Sequence, residues 1–579
     1  MKELSTEVRV LLAFVLSMLA VWAFGHLRPP KKAEPAATPP AVSSPSPAST
    51  AGSQPPAPVV TSAPTAAPKQ AAAPVSIAAT EEQTIVVEND LYRVELSNRG
   101  GVVRSWQLKK YKDSGKPAGT LDVVHREASQ QMGNWPLAIE LGDPQLAETE
   151  KQINAALFRA DAVGEPLRAP VTLTFEWSDG RLSVTKKVQF DHDYIVAINT
   201  SVLEEGKPLA HSIGWRGGFG DATVYNPAEQ VTVFYRQAGK LTALAYKNLG
   251  KPDKQSEAVR YDGTAEYAGI QDRYFAAAFL PRGTGLAFWH RRLDREVTES
   301  GKTTKIPVAE VAAGSTVAGP IALQLIVGPK DLDVLGRQQP PMTELVDFGW
   351  LTLIAKPLFL LLRWIHDLSW VQNYGWAIIL MTIVLNMAMY PLKVKSYRSM
   401  QRMQKLNPDI QAIRARYAKY TIRDPRKQQE SKEIWALYKK EKASPAGGCL
   451  PMLIQMPIWL ALYTMLAAAI ELRHAPWIFW IRDLSERDPY YILPVLMGVT
   501  MFLMQKMTPM TATDPAQQQM MNLMPIMFGV MFVILPVSSG LVLYILTSNV
   551  VGIGQQWHLN RTAPATASDG GKSRKGKKA

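Results

Sequence analysis

The chain has 579 residues, of which 47% are hydrophobic, and its mean hydropathy of −0.07 averages a strand-rich soluble part with several long apolar runs. The formal net charge of +14 is concentrated in two segments. Residues 392–449 hold fifteen lysines and arginines against five acids, and the residues after Asn560 hold six against Asp569. This distribution favours control of membrane topology and contact with anionic lipid or ribosomal RNA over sequence-specific nucleic-acid binding. The single cysteine, Cys449, excludes an internal disulfide and a multi-cysteine zinc site.

Residues 1–28 predict an N-terminal transmembrane anchor. The apolar run Val10–Leu27 is flanked by arginines and is about long enough to cross a bilayer. A cleaved signal peptide is the alternative, but the run is longer than a usual signal core and no Ala-x-Ala site follows it before Pro29. Residues 29–80 consist largely of Pro, Ala, Ser and Thr, which cannot bury a core, so they predict a disordered linker.

Residues 81–340 predict an all-β domain. Segments such as Thr84–Val87, Tyr92–Leu96 and Val171–Phe175 alternate apolar and polar residues or are rich in β-branched ones. Turn signals such as Asn98–Gly101 separate them. A segment of this length and pattern predicts one large β-sandwich.

Residues 341–370 predict an amphipathic helix that lies in the membrane interface. Phe348–Leu368 is apolar enough to cross the membrane. However, Lys356, Arg363 and Asp367 fall at i, i+7 and i+11, which places charge on one face. A charged face favours a helix in the interface over one that crosses.

Residues 371–560 predict a helical core of five further transmembrane helices, at about 375–392, 450–471, 491–507, 519–536 and 541–558. The stretch from Met520 to Gly554 is too long for one crossing, so we expect Ser538–Gly540 to divide it into two helices. With the anchor these helices make six spans. The predicted fold class is a multi-domain membrane protein, with an α-helical six-span bundle and an all-β domain.

The basic segment between the second and third spans determines the orientation of them all. A loop so rich in lysine and arginine resists translocation and stays in the cytoplasm. Alternating crossings then place both termini, including the basic tail 561–579, in the cytoplasm and the β domain outside. If Phe348–Leu368 also crossed, the β domain would lie inside, which supports the interfacial assignment.

The same loop, residues 393–445, predicts a cytoplasmic helical hairpin. Apolar residues at helical spacing predict helices at Ser396–Tyr420 and Arg426–Lys442, with Pro408 kinking the first. The basic outer faces of such a hairpin would suit contact with a ribosome or with lipid. A merely solvated charged surface is the alternative.

The sequence lacks the common catalytic motifs. It contains no P-loop, no His-Glu-x-x-His and no Gly-x-Ser-x-Gly, and its eight histidines are scattered. The interiors of the predicted spans hold no Asp or Glu that would relay protons or sodium ions. We therefore expect no enzyme, no metal site, no cofactor and no small-molecule substrate, and a transporter is disfavoured.

Sparse uncharged polar side chains inside the spans form one candidate site: Thr382, Asn386, Gln455 and Asn549. Thr382 and Asn386 lie one helical turn apart on one face. A buried amide is costly in hydrocarbon unless it is hydrogen-bonded or hydrated. These residues therefore predict either interhelical hydrogen bonds or a shared hydrated groove.

Methionines at helical spacing form a second candidate site. Met520, Met524, Met527 and Met531 recur at i, i+4, i+7 and i+11, and Met452 and Met456 form a shorter stripe. Methionine is flexible and polarisable, so such a stripe suits a surface that accepts many apolar partners. Ordinary core packing is the alternative.

Nine motifs between residues 345 and 560 resemble those of a single family. They are Asn373–Ile379, Met389–Leu392, Ser399–Met400, Ala443–Pro451, Leu453–Ile458, Glu471–Arg473, Asp488–Pro494, Gln505–Met507 and Ser539–Tyr544. This part of the chain resembles the YidC insertases, and the layout of anchor, linker and β domain resembles their Gram-negative form.

The resemblance implies a membrane protein insertase and chaperone of the bacterial inner membrane, acting alone or with the Sec translocon, with a periplasmic β-supersandwich. It also implies a hydrophilic groove open to the cytoplasm and to lipid, and an apolar slide on the third and fifth spans. The family's groove commonly holds an arginine where this chain has Asn386, so a fixed positive charge is missing there. Lys393 and Lys395, at the groove mouth, are candidates to replace it in part.

The groove is thus predicted at the four polar residues and the client-contact slide at the six methionines. Contacts with ribosome or lipid are predicted at Lys393, Lys395, Arg414, Arg416, Lys439 and Lys440. The expected partners are nascent membrane proteins, the Sec translocon, the ribosome, the signal-recognition-particle receptor and the phospholipid membrane. The rival hypothesis is a membrane-tethered periplasmic protein whose β domain binds a glycan or another ligand.

Overall fold

The computed structural model describes residues 76–562, apart from residues 163, 165, 225–229, 250–257, 283–285, 300–301, 316, 421–423, 442–444, 509–514 and 536. The predicted N-terminal anchor (1–28), most of the predicted linker (29–80) and nearly all of the predicted basic tail (561–579) lie outside the described residues.

The first part of the described chain is built from strands, as the sequence predicts. They are β1 (Thr84–Glu88), β2 (Tyr92–Ser97), β3 (Val102–Lys112), β4 (Thr120–Asp122), β5 (Ala138–Glu140), β6 (Arg159–Ala160), β7 (Leu167–Arg168), β8 (Val171–Ser178), β9 (Leu182–Phe190), β10 (Ile195–Glu204), β11 (Lys207–Pro208), β12 (Ser212–Trp215), β13 (Thr232–Gln237), β14 (Lys240–Ala245), β15 (Val259–Ala265), β16 (Tyr267–Gln271), β17 (Phe275–Pro281), β18 (Leu286–Glu299), β19 (Lys302–Gly314) and β20 (Ile321–Pro329). Alternate residues of β9, among them Leu182, Val184 and Val188, point inward and are buried, as expected for a strand with one face on a core.

These strands form three sheets, which pack as a β-sandwich. The largest has the order β14-β13-β16-β17-β20-β10-β9-β8-β6, with β11 beside β10, and the others have the orders β4-β3-β2-β1-β7 and β15-β18-β19-β12-β5. Trp106 of β3 lies at their junction. Its ring centroid is 6.3 Å from that of Phe190 in the largest sheet and 6.1 Å from that of Trp215 in the third. All three rings are fully buried, so an aromatic core holds the sheets together.

Helices dominate the second part of the described chain. Within or just after the β domain lie α1 (Arg126–Met132), α2 (Ala147–Ala155) and α3 (Leu332–Gly336). The helical region contains α4 (Thr352–His366), α5 (Tyr374–Lys405), α6 (Asn407–Tyr417), α7 (Pro425–Lys440), α8 (Pro445–Ala468), α9 (Ile492–Met507), α10 (Pro515–Ile534) and α11 (Ser539–Thr562). The predicted order of an all-β part followed by a helical part is confirmed.

Helix α4 occupies the segment predicted to lie in the membrane interface. Leu358 and Leu362 are buried where α4 packs on α5 and α8, whereas Leu353 and Trp364 are exposed on another face. Such a helix can pack on protein with one apolar face and meet lipid with the other. Arg363 donates a hydrogen bond to Asp333 near the start of α3, with an Nη2–Oδ2 distance of 2.6 Å.

Helix α5 differs from what the sequence predicts for the basic loop. The predicted loop helix Ser396–Tyr420 does not exist as one unit, because α5 continues unbroken to Lys405 and α6 begins at Asn407. The prediction of a single kinked helix is therefore wrong. Pro408 lies in the first turn of α6, where its missing N–H leaves no helical bond unmade, so it begins a helix instead of kinking one.

Helices α6 and α7 pack against each other around a small apolar cluster of their own. Leu406 and Ile410 form its centre, and Ile434, Leu437 and Tyr438 of α7 pack on them. We call α6 and α7 together the helical pair.

Among the described helices, α5 is the one long and apolar enough to cross a membrane by itself. The apolar stretches Ile454–Ala468, Ile492–Met507 and Leu523–Ile534 are shorter. The predicted division near Ser538–Gly540 agrees with the break between α10 and α11. The count of six spans stays a prediction.

The loop between α8 and α9 is joined to the β domain through Arg473. Its guanidinium donates to Asp221, at 2.6 Å, and to the carbonyl of Lys112, at 2.9 Å, and it lies over the rings of Tyr274 and Phe275. The side chains of Arg473 and Asp221 are 4% and 3% exposed. A buried ion pair of this kind fixes the orientation of both partners.

Candidate functional site

A line of polar side chains runs along the contact between α5 and α11. We call it the polar seam; it comprises Thr382, Asn386 and Lys393 of α5 and Tyr544, Ser548 and Gln555 of α11. Each set follows the spacing i, i+4, i+11, which lines one face of a helix. The two cross-helix pairs, Asn386 with Ser548 and Lys393 with Gln555, share a separation of 162 positions, so the two helices run in the same direction.

Asn386 is the centre of the seam. Its amide nitrogen donates to the carbonyl of Thr382, at 2.9 Å, and to the hydroxyl of Ser548, at 3.3 Å. Its amide oxygen accepts from the amine of Lys393, at 2.7 Å. The side chain is 4% exposed, so these bonds satisfy an amide that is removed from solvent.

Lys393 brings positive charge into the seam. Its amine lies 3.1 Å from the amide oxygen of Gln555 in addition to its bond with Asn386, so the side chain reaches back along α5 by two turns. Lys395, the second basic residue predicted at the groove mouth, is exposed. The two lysines therefore occupy different environments although they are two positions apart.

Gln455 extends the seam to a third helix. Its amide nitrogen, on α8, donates to the hydroxyl of Tyr544 at 2.9 Å. Tyr544 is 2% exposed and lies one turn before Ser548 on α11. Helix α11 therefore makes polar contacts with both α5 and α8.

The side chain of Asn549 lies outside the seam, although the sequence analysis predicts that it lines the same groove as Asn386. Its amide nitrogen faces α9, 3.4 Å from the carbonyl of Met497 and 3.3 Å from the hydroxyl of Thr500. The physical reason is the helical step: one residue rotates a side chain by about 100° around the axis, away from its neighbour Ser548. Asn549 joins α9 and α11 instead.

The predicted methionine slide is only partly described. Met456 of α8 is 47% exposed, and Met524 and Met527 of α10 are partly buried. Met531 packs against the main apolar core. The side chains of Met452 and Met520 lie outside the described residues.

The predicted basic contact residues separate into two groups. Lys393 belongs to the seam. The other five are exposed on the surface: Lys395, Arg414, Arg416, Lys439 and Lys440, of which Arg416 pairs with Glu433 at 2.8 Å. No group of three or more His, Cys, Asp or Glu side chains that would hold a metal ion occurs within the described ranges.

On the α11 side of the seam, sequence reasoning singles out Ser548 as a polar residue within a span but misses Tyr544 and Gln555. Tyr544 and Gln555 repeat the spacing of the α5 residues, and Asn560 accepts from the hydroxyl of Tyr397 at 2.6 Å at the next position along the same contact. The matching i, i+4, i+11 intervals on two apolar helices are the signal that would have found them.

Comparisons with known proteins agree over most of the chain. Residues 84–361 match the family described as "YidC periplasmic domain", and residues 364–566 match "60Kd inner membrane protein". The membrane protein insertase YidC of Nitrosococcus oceani is 35% identical over 490 residues, which are 83% of this chain and 86% of that protein.

Two solved structures are also similar. An active YidC insertase crystallised with its first transmembrane domain is 17% identical and covers 84% of this chain and 95% of its own, with a TM-score of 0.35. YidC from Thermotoga maritima is 14% identical and covers 84% of this chain and 99% of its own, with a TM-score of 0.29. On the sequence identity across both parts, the chain belongs to the YidC family of membrane protein insertases.

Proposed function

We propose that this chain inserts apolar segments of nascent membrane proteins into the bacterial inner membrane and assists their folding there, alone or beside the Sec translocon. The observation that carries the proposal is the polar seam, a line of hydrogen-bonding groups between helices that are otherwise largely apolar. Apolar side chains alone would pack such a bundle without the cost of burying amides. The seam is therefore a candidate for work on a polar client segment.

In this mechanism the seam lowers the cost of moving a short polar segment of a client past hydrocarbon. Such a segment loses its bonds to water, and each unsatisfied group costs several kcal/mol. Asn386, Ser548 and Gln455 carry amide and hydroxyl groups that can exchange one partner for a client group. The proposed groove comprises the described seam together with Gln455.

Lys393 supplies the charge that the chain lacks at Asn386. Its amine sits directly on the Asn386 amide oxygen, so an acidic client residue that reached this point would meet a cation. A charge-assisted hydrogen bond is roughly twice as strong as a neutral one. Lys395 is exposed and would act on solvent or lipid instead.

The proposed slide is formed by Met452 and Met456 of α8 with Met520, Met524, Met527 and Met531 of α10. Flexible methionines can adapt to client segments of different shape. Burial of the client's apolar surface in lipid, worth about 25 cal/mol per Å², then drives the step. The proposal includes no catalysis, nucleotide, cofactor or metal.

The proposed topology has six spans and both termini in the cytoplasm. The β domain (81–340) lies in the periplasm, and α4 lies in the interface on the periplasmic side of the inner membrane. Trp350, Trp364 and Trp370, which are 84%, 63% and 70% exposed, support that placement, because tryptophan favours the membrane–water boundary. The helical pair and the basic tail would then contact the ribosome or the signal-recognition-particle receptor.

The direct test uses the purified full chain in proteoliposomes and a small two-span client. We expect protease-protected client well above the level of empty liposomes. A folded protein that inserts no client, with or without the Sec translocon, would contradict the proposal. The rival ligand-binding hypothesis would then require a glycan that raises the unfolding temperature of the β domain.

A further inference from the structure

The outer face of α7 carries lysines around a single exposed tryptophan. Trp435 is 56% exposed, a large fraction for an aromatic residue of a packed helical pair. Lys432 and Lys439 share its side of the helix and are exposed as well. We call these three residues the outer row.

The acids of α7 point away from the outer row. Glu433 accepts from Arg416 at 2.8 Å and from the hydroxyl of Tyr417 at 2.7 Å, both on α6. Glu430 is buried and pairs with Lys427 at 2.5 Å. Within the described part of the chain no acidic side chain pairs with a lysine of the outer row. The exposed face of α7 is therefore cationic and aromatic, while its negative charge is neutralised on the other side.

The outer row is also close to the point where the chain returns to the helical core. Helix α7 ends at Lys440, and α8 begins at Pro445. Trp435 precedes Lys440 by roughly 8 Å along the axis of α7, at 1.5 Å per residue. In the proposed topology this end of α7 lies beside the cytoplasmic membrane surface.

We propose that the outer row docks on acidic phospholipid headgroups of the inner leaflet, with Trp435 inserted in the headgroup layer. The inference rests on the proposed function for the cytoplasmic location of the helical pair. Tryptophan favours the headgroup region, and lysines are attracted to an anionic leaflet. Duplex ribosomal RNA would engage the lysines through its phosphates and leave the indole ring without a partner, since only an unpaired base could stack on it.

A fluorescent label at one site tests this docking. The chain has fifteen tryptophans, so intrinsic emission cannot isolate Trp435, but it has a single cysteine, which Cys449→Ala removes. In the full-length protein, Ala436→Cys places an environment-sensitive label beside Trp435. Ala415→Cys, an exposed position on α6, is the matched control. Both are reconstituted in phosphatidylcholine vesicles with and without phosphatidylglycerol.

We expect the label at position 436 to shift to the blue and to be quenched by lipid-borne quenchers when phosphatidylglycerol is present. The label at position 415 should do neither. High salt, Trp435→Ala or the pair Lys432→Gln and Lys439→Gln should reverse the shift. Each lysine charge removed should lower the ratio of docked to undocked molecules about fivefold.

Two results would overturn the inference. One is equal behaviour of the labels at 415 and 436 in anionic vesicles. The other is a shift at 436 that requires added ribosomes, which would assign the outer row to the ribosome. Client insertion measured in the same vesicles separates this inference from the proposed function, because insertion can persist when the label shows no docking.

Discussion

Asn386 and Lys393 together place hydrogen-bonding groups and a positive charge at one point of the seam, which a single arginine could also do. An arginine on a transmembrane helix carries its charge and its hydrogen-bond donors at one position. Here an amide occupies that position, and the charge comes from a lysine two turns away, whose amine lies 2.7 Å from the amide oxygen. In the proposed mechanism this bond holds the charge at the cytoplasmic end of the seam, where a client carboxylate would replace the amide oxygen.

Lys393→Gln tests this arrangement. We expect insertion of a client with an acidic translocated segment to fall roughly tenfold, because a hydrogen bond to a charged group is worth about 1.5–3 kcal/mol. Insertion of the same client with a neutral segment should change little. Lys395→Gln removes an equal charge from an exposed side chain and serves as the control. Equal losses for both variants, or for both clients, would contradict the assignment.

A second residue-scale feature lies in the β domain, where Glu140, Glu150 and Glu310 surround Arg216 and Arg291. Glu140 is 3.3 Å from Arg291 and 3.7 Å from Arg216. Burial raises the pKa of Glu140 from 4.5 to about 7, although both arginines act in the opposite direction. Three carboxyls against two guanidinium groups leave one buried negative charge unbalanced, which favours uptake of a proton.

This raised pKa predicts how the stability of the β domain depends on pH. Between pH 4.5 and about 7 the folded state holds the Glu140 proton more tightly than the unfolded state does. The stabilisation is therefore full below pH 4.5 and is lost as pH rises through about 7. In Glu140→Gln, thermal unfolding followed across this range should show a flatter pH dependence. Glu148→Gln, at an exposed residue, should keep the wild-type slope, and a Glu140→Gln profile that does the same would refute the prediction.

Residues of the site are predictable from sequence when they break a pattern. Thr382, Asn386 and Gln455 stand out as polar residues in apolar runs, whereas Tyr544 acquires its role only from the helix it faces. Asn549 is as conspicuous as Asn386, but it faces α9, because the facing of a helix depends on its neighbours. In the β domain, Lys186 occupies an inward position of β9, where strand alternation predicts an apolar residue. Its buried amine donates to the carbonyls of Gly100 and Leu137, both at 2.7 Å.

At the scale of elements, the glycine at the start of α5 is required by close packing. A Cβ at Gly375 would lie 2.1 Å from Cδ1 of Trp477, in the loop that follows α8. Asn373 caps the helix by accepting from the backbone N–H groups of Gly375 and Trp376, and its own amide donates to the carbonyl of Pro476 at 2.8 Å. The start of α5 and this loop are therefore built as one unit.

Gly375→Ala should lower the free energy of unfolding by about 1–3 kcal/mol, because the methyl group displaces a packed indole ring. Gly554→Ala, in α11, meets no atom within 4 Å and should be neutral or slightly stabilising through its helix propensity. Thermal denaturation of both variants in detergent checks the pair. Equal melting temperatures would show that Trp477 moves aside at little cost.

Elements with a strong period are the ones that the sequence predicts well. Strand alternation located β1, β2 and β8, and the division of the last apolar stretch was placed close to the start of α11. The continuation of α5 to Lys405 was missed, because the change from apolar to basic composition marks a membrane boundary and not the end of a helix. Pro408 could not be assigned to a helix start without knowing that α5 had already ended.

At the scale of the whole molecule, Arg473 holds the β domain against the loop that follows α8, so that the chain connection is not the only link between them. Burial alone would raise the pKa of Asp221, but hydrogen bonds from Thr223 and the charge of Arg473 hold that pKa below its usual value. Its carboxylate remains ionised and paired. The sequence could not predict this contact, since the two residues are 252 positions apart.

Arg473→Met should cost about 3–5 kcal/mol, because it leaves the Asp221 carboxylate buried without its partner. Hydrogen exchange should rise in β3 and in the loop after α8, and a double-mutant cycle with Asp221→Asn should show coupling. Arg426→Met breaks an exposed pair with Asp424 and should change little. Unchanged exchange in Arg473→Met would mean that the β domain is held by other contacts.

The polar seam is the central claim, and a pair of asparagine variants tests it most directly. Asn386 and Asn549 are both buried amides in the same bundle, 4% and 6% exposed, but only Asn386 lies in the seam. Protease-protected insertion of a two-span client would be measured in proteoliposomes, normalised to folded protein, for Asn386→Leu and Asn549→Leu. We predict that client insertion by Asn386→Leu falls about tenfold or more, toward the level of empty liposomes. Insertion by Asn549→Leu should remain at the wild-type level. Equal insertion by the two variants, whether high or low, would contradict the claim.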